Sequence, residues 1–206
     1  MGKYTELFKE MEEFAEQYQV PIISPQGGNL LVEIIKKQKP NRILEIGTAI
    51  GYSALLMEAN MPCNGNIVTI EQNEERLAVA RTFIQKAGAE NKIQVLAGDA
   101  ALVLSQIEGT FDMVFIDAAK GQYLDYLQKI IPHLAPGAVI IADNVLFRGW
   151  VLGENSPPKR FRTIVKRLKE YIEFIERDCR FETSIHETGD GMAISYYQGA
   201  NYSEKT

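Results

Sequence analysis

The sequence contains few of the residues that build disulfide frameworks and soft-metal centres. Its 206 residues include two cysteines, Cys63 and Cys179, and two histidines, His133 and His186. The cysteines are far apart and lack the close Cys and His spacing of zinc sites. We therefore expect reduced thiols in a cytoplasmic protein and no zinc centre. The histidines are expected to be structural.

Long apolar runs and an excess of positive charge are also lacking. Lys and Arg total 22 against 27 Asp and Glu, which gives a formal net charge of −5. The first residues, MGKYTELFKEMEEF, are charged throughout and lack the apolar core of a signal peptide. The sequence therefore predicts no membrane span. Any RNA contact would have to come from a local basic patch.

Short apolar runs alternate with helical patterns along most of the chain. Strands are predicted at 42–46, 66–70, 93–97, 111–116, 138–142, 182–186 and 191–197. Helices are predicted at 3–19, 29–37, 73–87, 100–107 and 123–133, with a long one that ends near Arg177. This order indicates an α/β fold, with a mostly parallel seven-stranded sheet, helices on both faces and a C-terminal antiparallel hairpin.

The length favours a single domain over residues 1–206. Its parts would be N-terminal helices at 1–40, a core at 41–144, a basic loop and helix at 145–180, and the hairpin at 181–198. The first helix carries an apolar stripe of Leu7, Met11, Phe14 and Tyr18. This stripe is expected to pack on a second subunit.

The chain is organised around residues 42–53, RILEIGTAIGYS. An apolar strand runs into a turn with glycines at Gly47 and Gly51, and a helix then begins at Tyr52. Glycine lets the backbone approach a ligand closely, and a helix N-terminus offers free N–H groups. The spacing is not the G-x-G-x-x-G of dinucleotide enzymes. Glu45, an acid in the strand, would repel a pyrophosphate and suits a cationic ligand such as a sulfonium.

Acidic residues recur where the predicted strands end, and ligands of parallel sheets bind at those ends. These residues are Glu45, Glu71, Asp99, Asp117 and Asp143. Glu71 follows the glycine turn at the distance where an acid accepts hydrogen bonds from ribose hydroxyls. Asp99 either accepts from an adenine amino group or caps the next helix, and the sequence leaves both open.

A second group of polar residues, Asp117, Lys120, Asp143 and Asn144, follows two later strands. Two carboxylates and an amide oxygen form an all-oxygen set that suits Mg²⁺. Lys120 could act as a general base toward a hydroxyl held by that metal. The alternatives are a capped turn at Asp143-Asn144 and an ordinary surface lysine.

These motifs resemble one enzyme family. RILEIGTAIGYSA, IVTIE, AGDA, FIDAAKGQY and IIADN are similar to the motifs of the class I, Mg²⁺-dependent, S-adenosylmethionine-dependent O-methyltransferases of the catechol and caffeoyl-CoA type. VPII, DNVLFRG and GDGMAIS look nearer still to the bacterial tRNA 5-hydroxyuridine methyltransferases, which act at the anticodon wobble position. The resemblance implies a Rossmann-like methyltransferase fold and a protein that is commonly a homodimer.

The resemblance also implies roles for matching positions. The cofactor-binding residues would be Ile23, Glu45, Gly47, Tyr52, Ser53, Glu71, Gly98, Asp99, Ala100 and Asp117. The metal ligands would be Asp117, Asp143 and Asn144. Lys120 would be the catalytic base, and Asp117 would share the catalytic site.

The acceptor is predicted from residues 145–170. Cations and aromatics are interleaved there, including Arg148, Trp150, Lys159, Arg160 and Arg162, against only Glu154 and Glu170. The cations could contact the phosphates of an RNA backbone, and the aromatic rings could stack on anticodon bases, which favours tRNA as the acceptor. The alternatives are a solvated basic helix face and a small catechol-like, flavonoid or caffeoyl-CoA-like acceptor. A non-catalytic cofactor-binding or RNA-binding protein would not need the complete Asp117, Lys120, Asp143 and Asn144 set.

Overall fold

The computed structural model describes residues 2–153 and 156–200, and the side chains from residue 4 onward within those ranges. Two units, Met1–Val103 and Leu104–Thr206, each make most of their contacts internally. The seven strands follow the order β3-β2-β1-β4-β5-β7-β6 in the sheet. Glu154 of the basic region lies outside the described residues.

The first unit contains three parallel strands and five helices. Its elements are α1 (Gly2–Tyr18), α2 (Pro25–Gln38), β1 (Arg42–Ile46), α3 (Tyr52–Glu58), β2 (Asn66–Glu71), α4 (Glu74–Ala87), β3 (Ile93–Ala97) and α5 (Ala100–Val103). β2 pairs in parallel with β1 on one side and with β3 on the other. The strands bury Ile43, Ile67 and Ile93, which are in register.

The second unit contains a mixed set of strands. Its elements are β4 (Phe111–Ile116), α6 (Tyr123–Ile130), β5 (Leu134–Asp143), α7 (Arg162–Arg177), β6 (Phe181–His186) and β7 (Met192–Tyr197), with short 3₁₀ turns between them. β4 and β5 are parallel, whereas β7 runs antiparallel to both β5 and β6. The mostly parallel seven-stranded α/β fold with a terminal antiparallel hairpin is confirmed.

Local chemistry explains most of the boundaries. Asn73 caps α4 by accepting from the backbone N–H of Arg76, and Gly88 ends that helix in the left-handed region. α7 buries Val165, Leu168 and Ile172 along one side. Among the described residues, no helix is both long and apolar enough to cross a membrane.

Several predicted boundaries were wrong. α2 begins at Pro25 rather than residue 29, because the Ser24 hydroxyl accepts from the Gly27 N–H and proline suits the first helical position. β5 begins four residues before Ala138, since Phe111 of β4 pairs with Leu134.

Two predicted helices were also too long. The helix at 100–107 is α-helical only to Val103, and the helix at 123–133 only to Ile130; each continues as a 3₁₀ turn.

The predicted apolar stripe of α1 was also partly wrong. Leu7, Met11 and Ala15 are its buried residues, whereas Tyr18 is 58% exposed. Phe14 contacts Phe83 of α4 edge to face, so the helix packs within its own unit. Whether it also contacts a second subunit stays a prediction.

Candidate active site

The glycine turn between β1 and α3 is fixed by the end of β2. The N–H groups of Gly47 and Thr48 both donate to the Ile70 carbonyl, at 3.0 and 3.1 Å. Gly47 and Gly51 have φ values of 103° and 85°, a region that side chains with a Cβ rarely adopt. The turn is therefore held by backbone groups, as its glycines predicted.

Glu45 is fully buried under this turn and accepts hydrogen bonds at both carboxylate oxygens. The Ser53 hydroxyl donates to Oε1, and the Thr69 hydroxyl donates to Oε2 at 2.5 Å. The hydroxyls of Thr69 and Thr48 are in turn 2.6 Å apart. Two predicted cofactor residues, Glu45 and Ser53, are thus in direct contact. Their link to the two threonines was not predicted.

Glu71, the last residue of β2, binds the same turn from the other side. Its two carboxylate oxygens accept from the N–H groups of Ala49 and Asn73, each at 2.8 Å. A carboxylate oxygen has more than one lone-pair site, so these bonds leave acceptor capacity for a diol. Glu71 therefore both shapes the turn and presents an acceptor beside it.

The Gly98-Asp99-Ala100 segment is joined to β2, since the Gly98 N–H donates to the Glu71 carbonyl at 2.9 Å. One Asp99 oxygen accepts from the Ala101 N–H at 2.8 Å, and Ala100 is the first residue of α5. The capping role of Asp99 is therefore present. Capping uses Oδ1, and an adenine contact through the other oxygen stays a prediction.

Of two further predicted residues, Tyr52 directly follows the turn as the first residue of α3, and Ile23 precedes α2. The Tyr52 hydroxyl donates to Glu12 of α1 at 2.6 Å, and its ring packs on Phe8. Ile23 is buried immediately before the Ser24 cap of α2. The hydroxyl of Tyr52 is thus engaged by α1.

The second unit assembles the predicted catalytic group at the ends of β4 and β5. The Lys120 ammonium donates to the Asn144 side-chain oxygen at 2.8 Å and lies 3.7 Å from Asp117 Oδ1. The Asn144 N–H donates to Asp143 Oδ1 at 2.7 Å. All four residues are therefore linked by hydrogen bonds or an ion pair.

The two carboxyl groups of this cluster are held in an environment that disfavours their charge. Burial raises the pKa of Asp143 to about 6, and the negative charge of Asp117 adds to the effect. Burial also raises the pKa of Asp117, although the Lys120 ammonium opposes that rise. Asp143 is buried and the Asp117 side chain is 27% exposed, and two such carboxylates that repel one another gain from any cation placed between them.

A hard divalent cation fits this donor set, because Asp117, Asp143 and Asn144 contribute only oxygen ligands. Among the described residues, no set of three or more His, Cys, Asp or Glu could hold a metal ion. The predicted set contains two carboxylates and an amide, so the finding leaves it untested. The finding argues against a metal site with three or more His, Cys, Asp or Glu ligands within the described ranges.

Two of the predicted acceptor residues, Arg148 and Arg160, meet at the ring of Phe161 in the second unit. The guanidinium groups of Arg148 and Arg160 lie 5.4 and 4.5 Å from the centre of the Phe161 ring. Trp150 is half-buried, whereas Lys159 and Arg162 are exposed. Farther along α7, Lys166 and Arg167 both pair with Glu170, at 3.8 and 3.2 Å. Part of the positive charge is therefore neutralised within the helix.

Sequence reasoning missed Asp190 and Tyr123 as neighbours of the catalytic group. The Asp190 carboxylate accepts from the Arg148 N–H, and its charge contributes to the raised pKa of Asp143. The Tyr123 hydroxyl donates to the Asp143 carbonyl at 2.9 Å. Asp190 sits in a glycine-flanked hairpin, a pattern that predicts a turn but gives no signal of this contact.

This strand order, a glycine turn beside a buried acid, and a lysine linked to oxygen donors fit the class of O-methyltransferases built on an α/β sheet. The O-methyltransferase family model matches residues 3–197. The chain therefore belongs to the O-methyltransferase family, and it is an S-adenosylmethionine-dependent enzyme of that class.

Individual relatives agree with this membership. The chain is 39% identical to the catechol O-methyltransferase of Niastella koreensis over 138 residues, which cover 65% of this chain and 62% of that protein. It is 31% identical to caffeoyl-CoA O-methyltransferase 1 of Arabidopsis thaliana over 204 residues, 92% of this chain and 77% of that one. The Bacillus cereus O-methyltransferase crystallised with S-adenosylhomocysteine (SAH) superposes with a TM-score of 0.84 at 27% identity, covering 93% of this chain and 90% of the other.

Proposed function

We propose that this enzyme methylates a hydroxyl group of a small catechol-like acceptor, with the help of a divalent cation. The observation that carries the proposal is the linked group of Asp117, Lys120, Asp143 and Asn144. Two adjacent acceptor oxygens, as in a catechol, suit a cation held by a few protein oxygens. Relatives named for catechol and caffeoyl-CoA acceptors support this choice of substrate class.

The first unit would bind the methyl donor. Glu45 and Ser53 would hold the ammonium of its amino-acid part, and Gly47 would let the backbone approach. Glu71 would accept from the ribose hydroxyls, and Gly98, Asp99 and Ala100 would line the adenine. Ile23 and Tyr52 would border the site. S-adenosylmethionine, when bound, supplies an electrophilic methyl group on a sulfonium and departs as S-adenosylhomocysteine.

The second unit would prepare the acceptor oxygen for attack on that methyl group. Asp117, Asp143 and Asn144 would hold Mg²⁺ or a similar cation, which lowers the pKa of a hydroxyl bound to it. Lys120, in its neutral amine form, would take the departing hydroxyl proton at Nζ and become the ammonium. The protein then contributes alignment and charge placement, which are the main demands of a methyl transfer.

The first test is transfer of labelled methyl from S-adenosylmethionine to a simple catechol, with Mg²⁺ present or removed by a chelator. We expect Mg²⁺-dependent label in the catechol and its loss in Asp143→Ala. Transfer that is insensitive to the chelator would contradict the metal assignment. Absence of transfer to catechol would contradict the small-molecule acceptor.

A second candidate acceptor is 5-hydroxyuridine at the tRNA wobble position, which would give 5-methoxyuridine. The specific observation in its favour is the pair of arginines over Phe161, since guanidinium groups and rings together bind phosphates and unstacked bases. The uridine presents a hydroxyl beside a carbonyl, a pair of oxygens like those of a catechol. The ion pairs of Lys166 and Arg167 with Glu170 weigh against a continuous basic face.

Running both acceptors side by side distinguishes these candidates. Label in tRNA that carries 5-hydroxyuridine, with steep loss at higher salt, would favour RNA. Arg160→Gln should then weaken tRNA methylation and leave catechol methylation unchanged, whereas Lys129→Gln, at a surface pair with Asp125, should affect neither. A homodimer and a cytoplasmic location also stay predictions, and the oligomeric state can be measured by light scattering.

A further inference from the structure

We propose that Thr69 is a positioning residue for the methyl donor, because its hydroxyl fixes the carboxylate of Glu45 toward the ammonium of the donor's amino-acid part. The inference rests on the proposed role of Glu45 in binding that ammonium. Thr69 itself would touch neither donor nor acceptor. It would act only through Glu45.

Register and burial place the two side chains together. Glu45 of β1 and Thr69 of β2 are direct partners in the parallel pair, and both are fully buried. The Thr69 hydroxyl donates to Glu45 Oε2 at 2.5 Å. A hydrogen bond to a buried carboxylate is stronger than a neutral one and restricts the rotation of the carboxyl group.

The direction of the hydrogen bonds follows from the number of protons. A carboxylate only accepts, so the single hydroxyl proton of Thr69 is committed to Glu45. The hydroxyl of Thr48, 2.6 Å away, must then donate to Thr69. Thr48 lies in the glycine turn, next to Gly47, and is buried as well. The chain from Thr48 through Thr69 to Glu45 therefore couples the shape of the turn to the orientation of the carboxylate.

The Glu45 carboxylate is held from two directions, and the two donors have different positions. Ser53 donates to Oε1 from the first turn of α3, whereas Thr69 donates to Oε2 from the neighbouring strand. Removing the Thr69 donor would abolish the hydrogen bond to Oε2 from the neighbouring strand, while Ser53 would still donate to Oε1. We expect its orientation to loosen and its affinity for an ammonium to fall.

The test compares two ligands that differ in the part Glu45 would bind. S-adenosylhomocysteine carries the amino-acid group, whereas 5′-methylthioadenosine retains the nucleoside and sulfur but lacks that group. Binding of each is measured by calorimetry to wild type and to Thr69→Val, which keeps the side-chain shape. We expect S-adenosylhomocysteine to bind about tenfold more weakly to the variant, the loss typical of one hydrogen bond to a charged group. 5′-Methylthioadenosine should bind equally to both proteins.

Matched variants separate positioning from general damage to the fold. Thr69→Ser restores the hydroxyl and should restore binding of S-adenosylhomocysteine. Thr183→Val removes a comparable hydroxyl pair with Ser195 in the second unit, and should lower stability without affecting either ligand. Thr48→Val gives a second route if Thr69→Val does not fold. Thr48→Val should weaken the binding of S-adenosylhomocysteine less than Thr69→Val does. Binding of 5′-methylthioadenosine should be unchanged.

Equal weakening of the two ligands, or unchanged binding of both, would overturn the role of Thr69. The catechol acceptor is tested separately by methyl transfer. The donor-binding part of the proposed function fails in a different way from the role of Thr69, because wild type would then not bind S-adenosylhomocysteine at all. The two failures are therefore distinguishable in the same titration.

Discussion

The ammonium of Lys120 donates a 2.8 Å hydrogen bond to the side-chain oxygen of Asn144, across 24 positions of sequence. This contact joins the proposed base to a proposed metal ligand. We predict that Lys120→Met lowers kcat by about a hundredfold or more, since positioned proton transfer contributes about that factor. Binding of S-adenosylhomocysteine should be unchanged. Methyl-transfer kinetics and calorimetry measure the two quantities.

Lys129→Met is the control for this prediction, because Lys129 also pairs with an acid, Asp125, but outside the catalytic group. It should retain full activity. A Lys120→Met enzyme with wild-type kcat would exclude Lys120 as the base.

Asp143→Asn should stabilise the protein in the presence of a chelator. Burial and the charge of Asp117 raise the Asp143 pKa from 3.8 to about 6, so its ionisation opposes folding. The stabilising contribution of the bound proton is complete below the unfolded pKa and is lost as pH rises toward about 6. The free energy of unfolding of the variant should therefore exceed that of wild type by on the order of 2 kcal/mol near neutral pH. In acid the two proteins should be equally stable.

Urea unfolding at several pH values measures this difference. Added Mg²⁺ should stabilise wild type and have less effect on the variant, because the variant lacks one charged ligand. A variant that is less stable than wild type at neutral pH without metal would contradict the environment assigned to Asp143.

Gly191→Ala should be much more destabilising than Gly149→Ala. Both glycines have positive φ, 86° and 74°, so both variants carry backbone strain of about 1 kcal/mol. At Gly191 the added Cβ would lie 2.2 Å from Leu146 Cγ, whereas at Gly149 nothing lies within 4 Å. We expect an additional loss of about 1–3 kcal/mol for Gly191→Ala, from overpacking. Equal urea midpoints for the two variants would contradict the close approach of Leu146.

Tyr171→Phe and Tyr123→Phe should have opposite effects on stability, although the chemical change is the same. Among the described residues, the Tyr171 hydroxyl is the one buried side-chain polar group without a hydrogen bond. The Tyr123 hydroxyl donates to the Asp143 carbonyl. Removing the Tyr171 hydroxyl relieves the cost of burying a polar group without a hydrogen bond. Removing the Tyr123 hydroxyl should lower the free energy of unfolding by about 1 kcal/mol. The two rings meet edge to face, a contact that both variants keep.

Thermal unfolding of the two variants beside wild type is the measurement. We expect Tyr171→Phe to unfold at the wild-type temperature or above, and Tyr123→Phe below it. A clear loss in Tyr171→Phe would indicate that its hydroxyl has a partner, such as a buried water.

The element order and the α/β class followed from local sequence patterns. The cap at Asn73, the stop at Gly88 and the hairpin around 187–190 each depend on a few neighbouring residues, and the structure has them as predicted. The start of α2 did not follow, because the Pro-Gln-Gly-Gly run is typical of a loop. Ser24 capping and the close packing of Gly28 on Leu56 outweigh that local tendency.

The sequence by itself determined which chemical groups stand at the strand ends, since apolar runs and the polar residues that follow them are local features. Only the tertiary structure decided which groups meet. The contacts of Thr69 with Glu45, of Lys120 with Asn144 and of Asp190 with Arg148 join separate elements. Their distances depend on strand register and on side-chain packing, which no single stretch of sequence encodes.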